Sequence, residues 1–180
     1  MKIEYALDKK DFLIHQLFAA SQSQRIKRKR MRNWLLPPAL YIAAGLLLMF
    51  LLTITYLFAF ACIALVWLLF YPFYARYLYR QHYARHIDEH YKNRIGRRAT
   101  LEFDEKALVI TDESSESKLQ YSEIAGITGI TSHIFIGLKT DASIIIPRDK
   151  IATDDLGNVI ALLTEKTGVR YTDIGNWKWK

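Results

Sequence analysis

Residues 35–74, LLPPALYIAAGLLLMFLLTITYLFAFACIALVWLLFYPFY, run without an Asp, Glu, Lys, Arg or His. Core helices of soluble proteins seldom stay uncharged beyond about 10–14 residues, whereas one membrane crossing takes about 20. As a single helix the run would measure about 60 Å, far more than the ~30 Å of bilayer hydrocarbon. It is therefore expected to fold back as a transmembrane α-helical hairpin over 35–75. The polar triplet Thr53-Ile54-Thr55 lies nearest the middle and is assigned to the turn, giving spans of about 37–52 and 56–75. Pro37 and Pro38 suit the first turn of the first span, where a missing amide hydrogen costs nothing. Trp34, Tyr41, Tyr56, Trp67, Tyr71 and Tyr74 are candidate interfacial aromatics. Gly45 with Ala44, Ala61 and Ala64 would let the two helices approach closely.

The charges gather on either side of this run. Arg25, Lys27, Arg28, Lys29, Arg30 and Arg32 precede the first span, and Arg76, Arg80, Arg85, Lys92, Arg94, Arg97 and Arg98 follow the second. The turn carries no charge, so the positive-inside rule places both ends in the cytoplasm. The six cations of the first cluster, with Arg76 and Arg80, are the candidate contacts for anionic lipid headgroups, at roughly 1 kcal/mol for each basic residue near such a surface. A basic run abutting a span is accounted for by topology, and nucleic acid is not expected as a partner. The apolar run begins only at residue 35, so no cleavable signal peptide is expected. Cys62, the one cysteine, supports neither a disulfide framework nor a zinc cluster and reads as a small apolar residue. Spans without ionisable residues argue against a transporter or a proton pump.

Residues 1–34 read as an N-terminal strand, KIEYAL, followed by a basic amphipathic helix that Asp8 caps and that continues until the two prolines interrupt it. After the hairpin no helix breaker precedes Gly96, so the second helix should run on as a cytoplasmic stalk over 76–98. From 99 to 180 the period changes to that of strands. Segments 99–103, 107–111, 118–121, 124–130, 133–139 and 142–146 alternate or are β-rich, with DESSES (112–117) as a polar loop and Thr140-Asp141 at the sharpest turn. Thr153-Asp154-Asp155 should cap a helix carrying Leu156, Val159, Ile160, Leu162 and Leu163, which Gly168 ends. Antiparallel strands followed by one helix make a small α+β module. Residues 1–99 hold 16 Lys+Arg and 5 Asp+Glu, while 100–180 hold 9 and 13. The module is acidic, which argues against reading phosphoinositides or nucleic acid through a large basic face.

QHYARHIDEH (81–90) spaces His82, His86 and His90 four residues apart. On a helix each neighbouring pair is about 6 Å apart along the axis and could chelate an ion, but the outer two are about 12 Å apart. A full site would need Asp88, Glu89 or a second subunit, and the HExxH spacing is absent. The three are candidate metal ligands or pH sensors set against a plainer reading, preferred here, as the solvated face of the stalk. No metal or other cofactor is expected. Ser114, Ser115 and Ser117 lack a basic partner nearby and no GxSxG elbow occurs. Gly126-Ile127-Thr128-Gly129 lacks a phosphate loop's lysine and reads as a bend. His133, after Ser132, reads as a structural histidine, and Asp149, Asp154 and Asp155 as helix-start residues.

The layout as a whole resembles the YcxB-like family of bacterial membrane proteins. The resemblance is carried by KIEYAL, the hairpin, YARYLYRQHYARH, LEFDEKALVITDESSESKLQYSEIAGI and IFIGLKTDASIIIPRDKI. It implies a multi-pass protein of the bacterial inner membrane with both termini cytoplasmic. It also implies a C-terminal domain of pleckstrin-homology type, a curved antiparallel sheet closed by one helix. It brings no catalytic residues, and the histidine trio is not part of it. The function expected is that of a non-enzymatic, membrane-anchored binding or regulatory protein that offers its cytoplasmic domain to a protein partner, alone or as a homo-oligomer. The alternatives are a metal-dependent or pH-sensing membrane protein using the histidines, and an immunity or stress-response protein.

Overall fold

The uncharged run forms two long helices in the computed structural model, which describes residues 1–112 and 115–179. Helix α1 (Lys9–Gln22) leads to α2 (Gln24–Leu51), and α3 (Ile54–His90) follows after a break at Leu52 and Thr53. The apolar stretches of α2 and α3 have mean hydropathy 2.0 and 2.2, and only 11% and 6% of their residues are buried. A core helix of a soluble protein would be mostly covered; these two are long and apolar enough to cross a membrane. Close packing between them centres on Gly45, where a Cβ would stand 3.0 Å from Phe60 Cβ and 3.3 Å from Leu57 Cα.

Pro37 and Pro38 lie inside α2 and not in its first turn, and they do not interrupt it. The interruption comes earlier, at Ser23, whose hydroxyl accepts the Ile26 N–H at 3.4 Å and caps α2. The basic cluster is thus the opening turns of the apolar helix itself. A proline ring removes one amide hydrogen but sets φ near the helical value. In apolar surroundings helices retain such residues because other donors meet the freed carbonyls.

Two compact units share the chain: Met1–His15 with Ala84–Lys178, and Gln16–Tyr83 with Trp179. The expected N-terminal segment, 1–34, and the expected stalk, 76–98, are therefore each divided between the units. The reason is pairing across the hairpin. Strand β1 (Lys2–Ala6) lies antiparallel to β2 (Arg98–Phe103), with Lys2 opposite Glu102 and Ala6 opposite Arg98. At the end of α3, Ile87 is fully buried, Lys9 pairs with Asp88 at 2.6 Å, and the rings of Phe12 and Tyr91 meet at 5.1 Å.

In the first unit β1 and β2 continue into β3 (Ala107–Asp112) and β4 (Glu116–Gln120), an antiparallel sheet in sequence order. The expected loop DESSES is shortened by these strands, and its Glu113 and Ser114 lie outside the described residues. The second sheet has the order β7-β6-β5-β8, from β5 (Ile124–Gly129), β6 (His133–Leu138), β7 (Ser143–Pro147) and β8 (Tyr171–Asp173). Gly126–Gly129 belongs to β5, with a register shift between Ile124 and Gly126, and is not the expected bend. The turn at Thr140-Asp141 forms as expected, with Asp141 at φ +63°.

Helix α4 (Thr153–Thr167) follows, and β8 then runs parallel to β5. Leu156, Val159 and Leu163 recur at helical spacing and are buried in one core with Ile3, Tyr5, Leu101, Phe103, Leu108, Ile127, Ile134, Ile136 and Ile146. Ala152, and not the Thr153–Asp155 triplet, holds the N-cap position of α4. Asp154 and Asp155 instead occupy the first turn, where the helix dipole favours negative charge. Gly168 ends the helix at φ +67° with its N–H on the Thr164 carbonyl.

Candidate functional site: a buried polar network and a basic hairpin

Strand β6 is covered on both faces. Ile134 and Ile136 enter the core, while His133 and Phe135 face the opening turns of α1. There the Phe135 ring meets two imidazoles, His15 at 5.4 Å and His133 at 5.8 Å. Asp11 completes the set. It sits three residues after Asp8, the position from which a carboxylate reaches back to the helix start, and Oδ2 accepts the Asp8 N–H at 2.7 Å. The same oxygen accepts Lys150 Nζ at 2.8 Å, and Oδ1 meets His133 Nε2 at 3.0 Å. Lys150 also donates to the Asp8 carboxylate at 2.8 Å and to the Ala6 carbonyl at 2.7 Å.

Asp11 and His133 are 6% and 3% exposed, deep enough that an unpaired charge would be costly. Burial by itself would raise the Asp11 pKa. Hydrogen bonds from Lys150, the Asp8 N–H and His133, with the Lys150 charge, outweigh burial and hold the carboxyl below its ordinary 3.8. Burial likewise opposes the charge on Lys150, but Asp11 and Asp8 together raise its pKa. His15 is pushed down, chiefly by burial and then by the neighbouring His133.

An ionised Asp11 can only accept, so His133 Nε2 donates to it, and Nδ1 lies 2.8 Å from the Ser132 hydroxyl. Asp11–His133–Ser132 has the order of a proton relay. Two features favour a structural tie. Ser132 and His133 are chain neighbours, so their contact follows from the local backbone, and Lys150 holds the second oxygen of Asp11. The network joins residues before the hairpin to residues after it. The sequence signal for it was slight: a histidine heading the apolar run HIFIGL, and two aspartates spaced as a capping pair.

Arg25, Lys27, Arg28, Lys29 and Arg32 are exposed on the first turns of α2, Arg30 is half-buried there, and Arg76 and Arg80 are exposed on α3. The Arg30 guanidinium lies 4.9 Å over the Trp179 ring. His82, His86 and His90 lie on α3. The His82 ring meets Tyr83 edge-on, and the His86 and His90 rings are 4.3 Å apart. His90 Nδ1 lies 3.1 Å from the His86 carbonyl, to which it can only donate. Asp88, a possible fourth ligand, is held by Lys9. Among the described residues no group of three or more His, Cys, Asp or Glu side chains is arranged to hold a metal ion.

Within the hairpin, Trp34 Nε1 donates to the Leu68 carbonyl at 3.0 Å. Pro72, four residues after Leu68, has no amide hydrogen to offer that carbonyl, and the indole takes its place. Beside this contact runs an open apolar groove of about 610 Å³, with Pro38, Ala39, Ile42, Ala43 and Leu46 on α2 and Ala61, Ala64, Leu65 and Leu68 on α3. No family model, curated protein or solved structure matches the chain.

Proposed function

We propose that the chain is a non-enzymatic, membrane-anchored binding or regulatory protein of the bacterial inner membrane. In this reading α2 and α3 anchor it among anionic lipid headgroups with both termini cytoplasmic. The two sheets and α4 form a pleckstrin-homology-type domain of the YcxB-like kind, offered to a protein partner. The observation that carries the reading is the pairing of β1 with β2 across the hairpin. One folded module takes residues from both flanks of the uncharged run, which supports an even number of crossings. The cations at the outer ends of both long helices support a cytoplasmic placement. Anchoring raises the module's local concentration and orients its surface, a sufficient mechanism without chemistry.

Crosslinking in native membranes followed by partner identification tests the reading. A reproducible protein partner, lost when residues 98–179 are deleted, supports it. A chain that carbonate washes off membranes, or one that recovers no reproducible partner, counts against it.

A further inference from the structure

No Asp or Glu occurs between Asp11 and Asp88, while nine Lys and Arg residues do. The hairpin thus carries cations without any carboxylate side chain of its own to neutralise them. Its groove, at about 610 Å³, falls within the roughly 300–1,000 Å³ of small-molecule sites.

Helical periodicity puts particular arginines above that groove. Residues 7 or 11 apart on an α-helix lie within about 20° of one direction, at about 100° per residue. Arg28 and Arg32 therefore share the groove face of α2 with Ala39, and Arg32 also with Ala43. On α3, Arg76 shares the direction of Leu65. Gly45 lies against Leu57 and Phe60, and counting outward equally from that contact brings Arg28 level with Arg76. Arg32 falls about one turn nearer the groove. All three are exposed; the Arg76 guanidinium lies 5.8 Å over the Phe73 ring, and that of Arg30 4.9 Å over Trp179.

We propose that the groove and Arg28, Arg32 and Arg76 form a seat for one anionic diacyl phospholipid. An acyl chain lies in the groove and the phosphodiester is held among the three guanidinium groups, whose planar donors suit phosphate oxygens. This rests on the reading of the hairpin as membrane-spanning. A zwitterionic lipid brings its own cation and gains less. A second hairpin on this face would bring three more arginines to the same level and be repelled.

Native mass spectrometry of the full chain in mild detergent, with phosphatidylglycerol and phosphatidylcholine added in equal amounts, tests the seat. One phosphatidylglycerol retained per chain, in preference to phosphatidylcholine, is expected. Combining Arg28→Gln, Arg32→Gln and Arg76→Gln weakens retention about fivefold for each arginine. The charge-matched set Lys29→Gln, Arg80→Gln and Arg85→Gln, which lies off the groove face, changes it far less. Ala39→Leu with Ala43→Leu fills the groove and expels the lipid at unchanged charge. Equal retention of the two lipids, or equal loss in the two charge-matched sets, overturns the seat. A chain that carbonate removes from membranes overturns the membrane reading instead.

Discussion

Trp34→Phe tests whether the hairpin is held by a hydrogen bond that Pro72 makes necessary. Leu68 loses its helical donor because residue 72 is proline, and the Trp34 indole supplies a donor from the neighbouring helix at 3.0 Å. Phenylalanine keeps an aromatic ring at position 34 and removes only the donor and part of the ring area. Interhelical hydrogen bonds in membrane proteins are worth about 0.6–1.7 kcal/mol, and Trp34→Phe should cost at least that. Pro72→Ala restores an amide hydrogen within α3, so the Leu68 carbonyl regains a donor four residues on. In that background Trp34→Phe should cost only the lost ring area. The two single variants, the double variant and the parent form a double-mutant cycle with a coupling of about 0.6–1.7 kcal/mol. Reversible unfolding in mixed micelles, followed by far-ultraviolet circular dichroism, measures all four. Coupling within about 0.3 kcal/mol of zero, the scatter of independent sites, would refute the argument that the indole stands in for the missing amide.

The buried network predicts a steep penalty for Asp11→Ala, about 3–5 kcal/mol in denaturant unfolding, because Lys150 and His133 are left without their shared acceptor. The Asp11 pKa is depressed in the folded chain, so its contribution is full above the ordinary 3.8 and is lost as pH falls through the lower folded value. The stability gap between parent and Asp11→Asn should accordingly narrow only in that acid range, and a gap that closed near neutrality would contradict the assignment. Gly129→Ala should cost about 1–3 kcal/mol, since a Cβ there would overlap the Tyr171 hydroxyl and come 2.6 Å from Arg148 Nη2. Adding Tyr171→Phe, which removes the hydroxyl, should recover part of that loss in the same unfolding assay. For the histidines, dialysis against zinc should leave no stoichiometric metal on the purified chain, and retained metal that His86→Ala abolishes would restore the metal reading.

The hairpin was legible because composition alone encodes it: forty uncharged residues leave few other structures open. Most strand positions were legible for the same local reason, alternation between turns. What local pattern could not supply was partnership. KIEYAL reads as a strand, but nothing within it points to β2, and the covering of β6 by α1 follows only once β1 has placed Asp11 and His15 beside the second sheet. Tyr171–Asp173 is too short and too polar to announce β8. Its parallel pairing with β5 depends on the crossover through α4. The prolines misled because the first-turn rule describes helices that begin where the proline stands. Here Ser23 had already started the helix, which runs on through Pro37 and Pro38.

Coupling between the hairpin and the module follows from the order in which the chain is made. Strand β1, Asp8 and Asp11 come first, but their partners β2, His133 and Lys150 come only after both long helices. Wherever the hairpin enters a membrane, an odd number of crossings would leave β1 on one side and β2 on the other. The first sheet would then lose an edge strand, Ile3 and Tyr5 would leave the core, and Lys150 and His133 would lose Asp11. A three-stranded remnant with an exposed apolar edge and an uncompensated buried network is a strongly disfavoured product. In the proposed topology, the folding free energy of the module would add to the positive-inside bias of the flanking arginines in favouring an even number of crossings. The polar network is, in that topology, among the contacts that a wrong number of crossings would break.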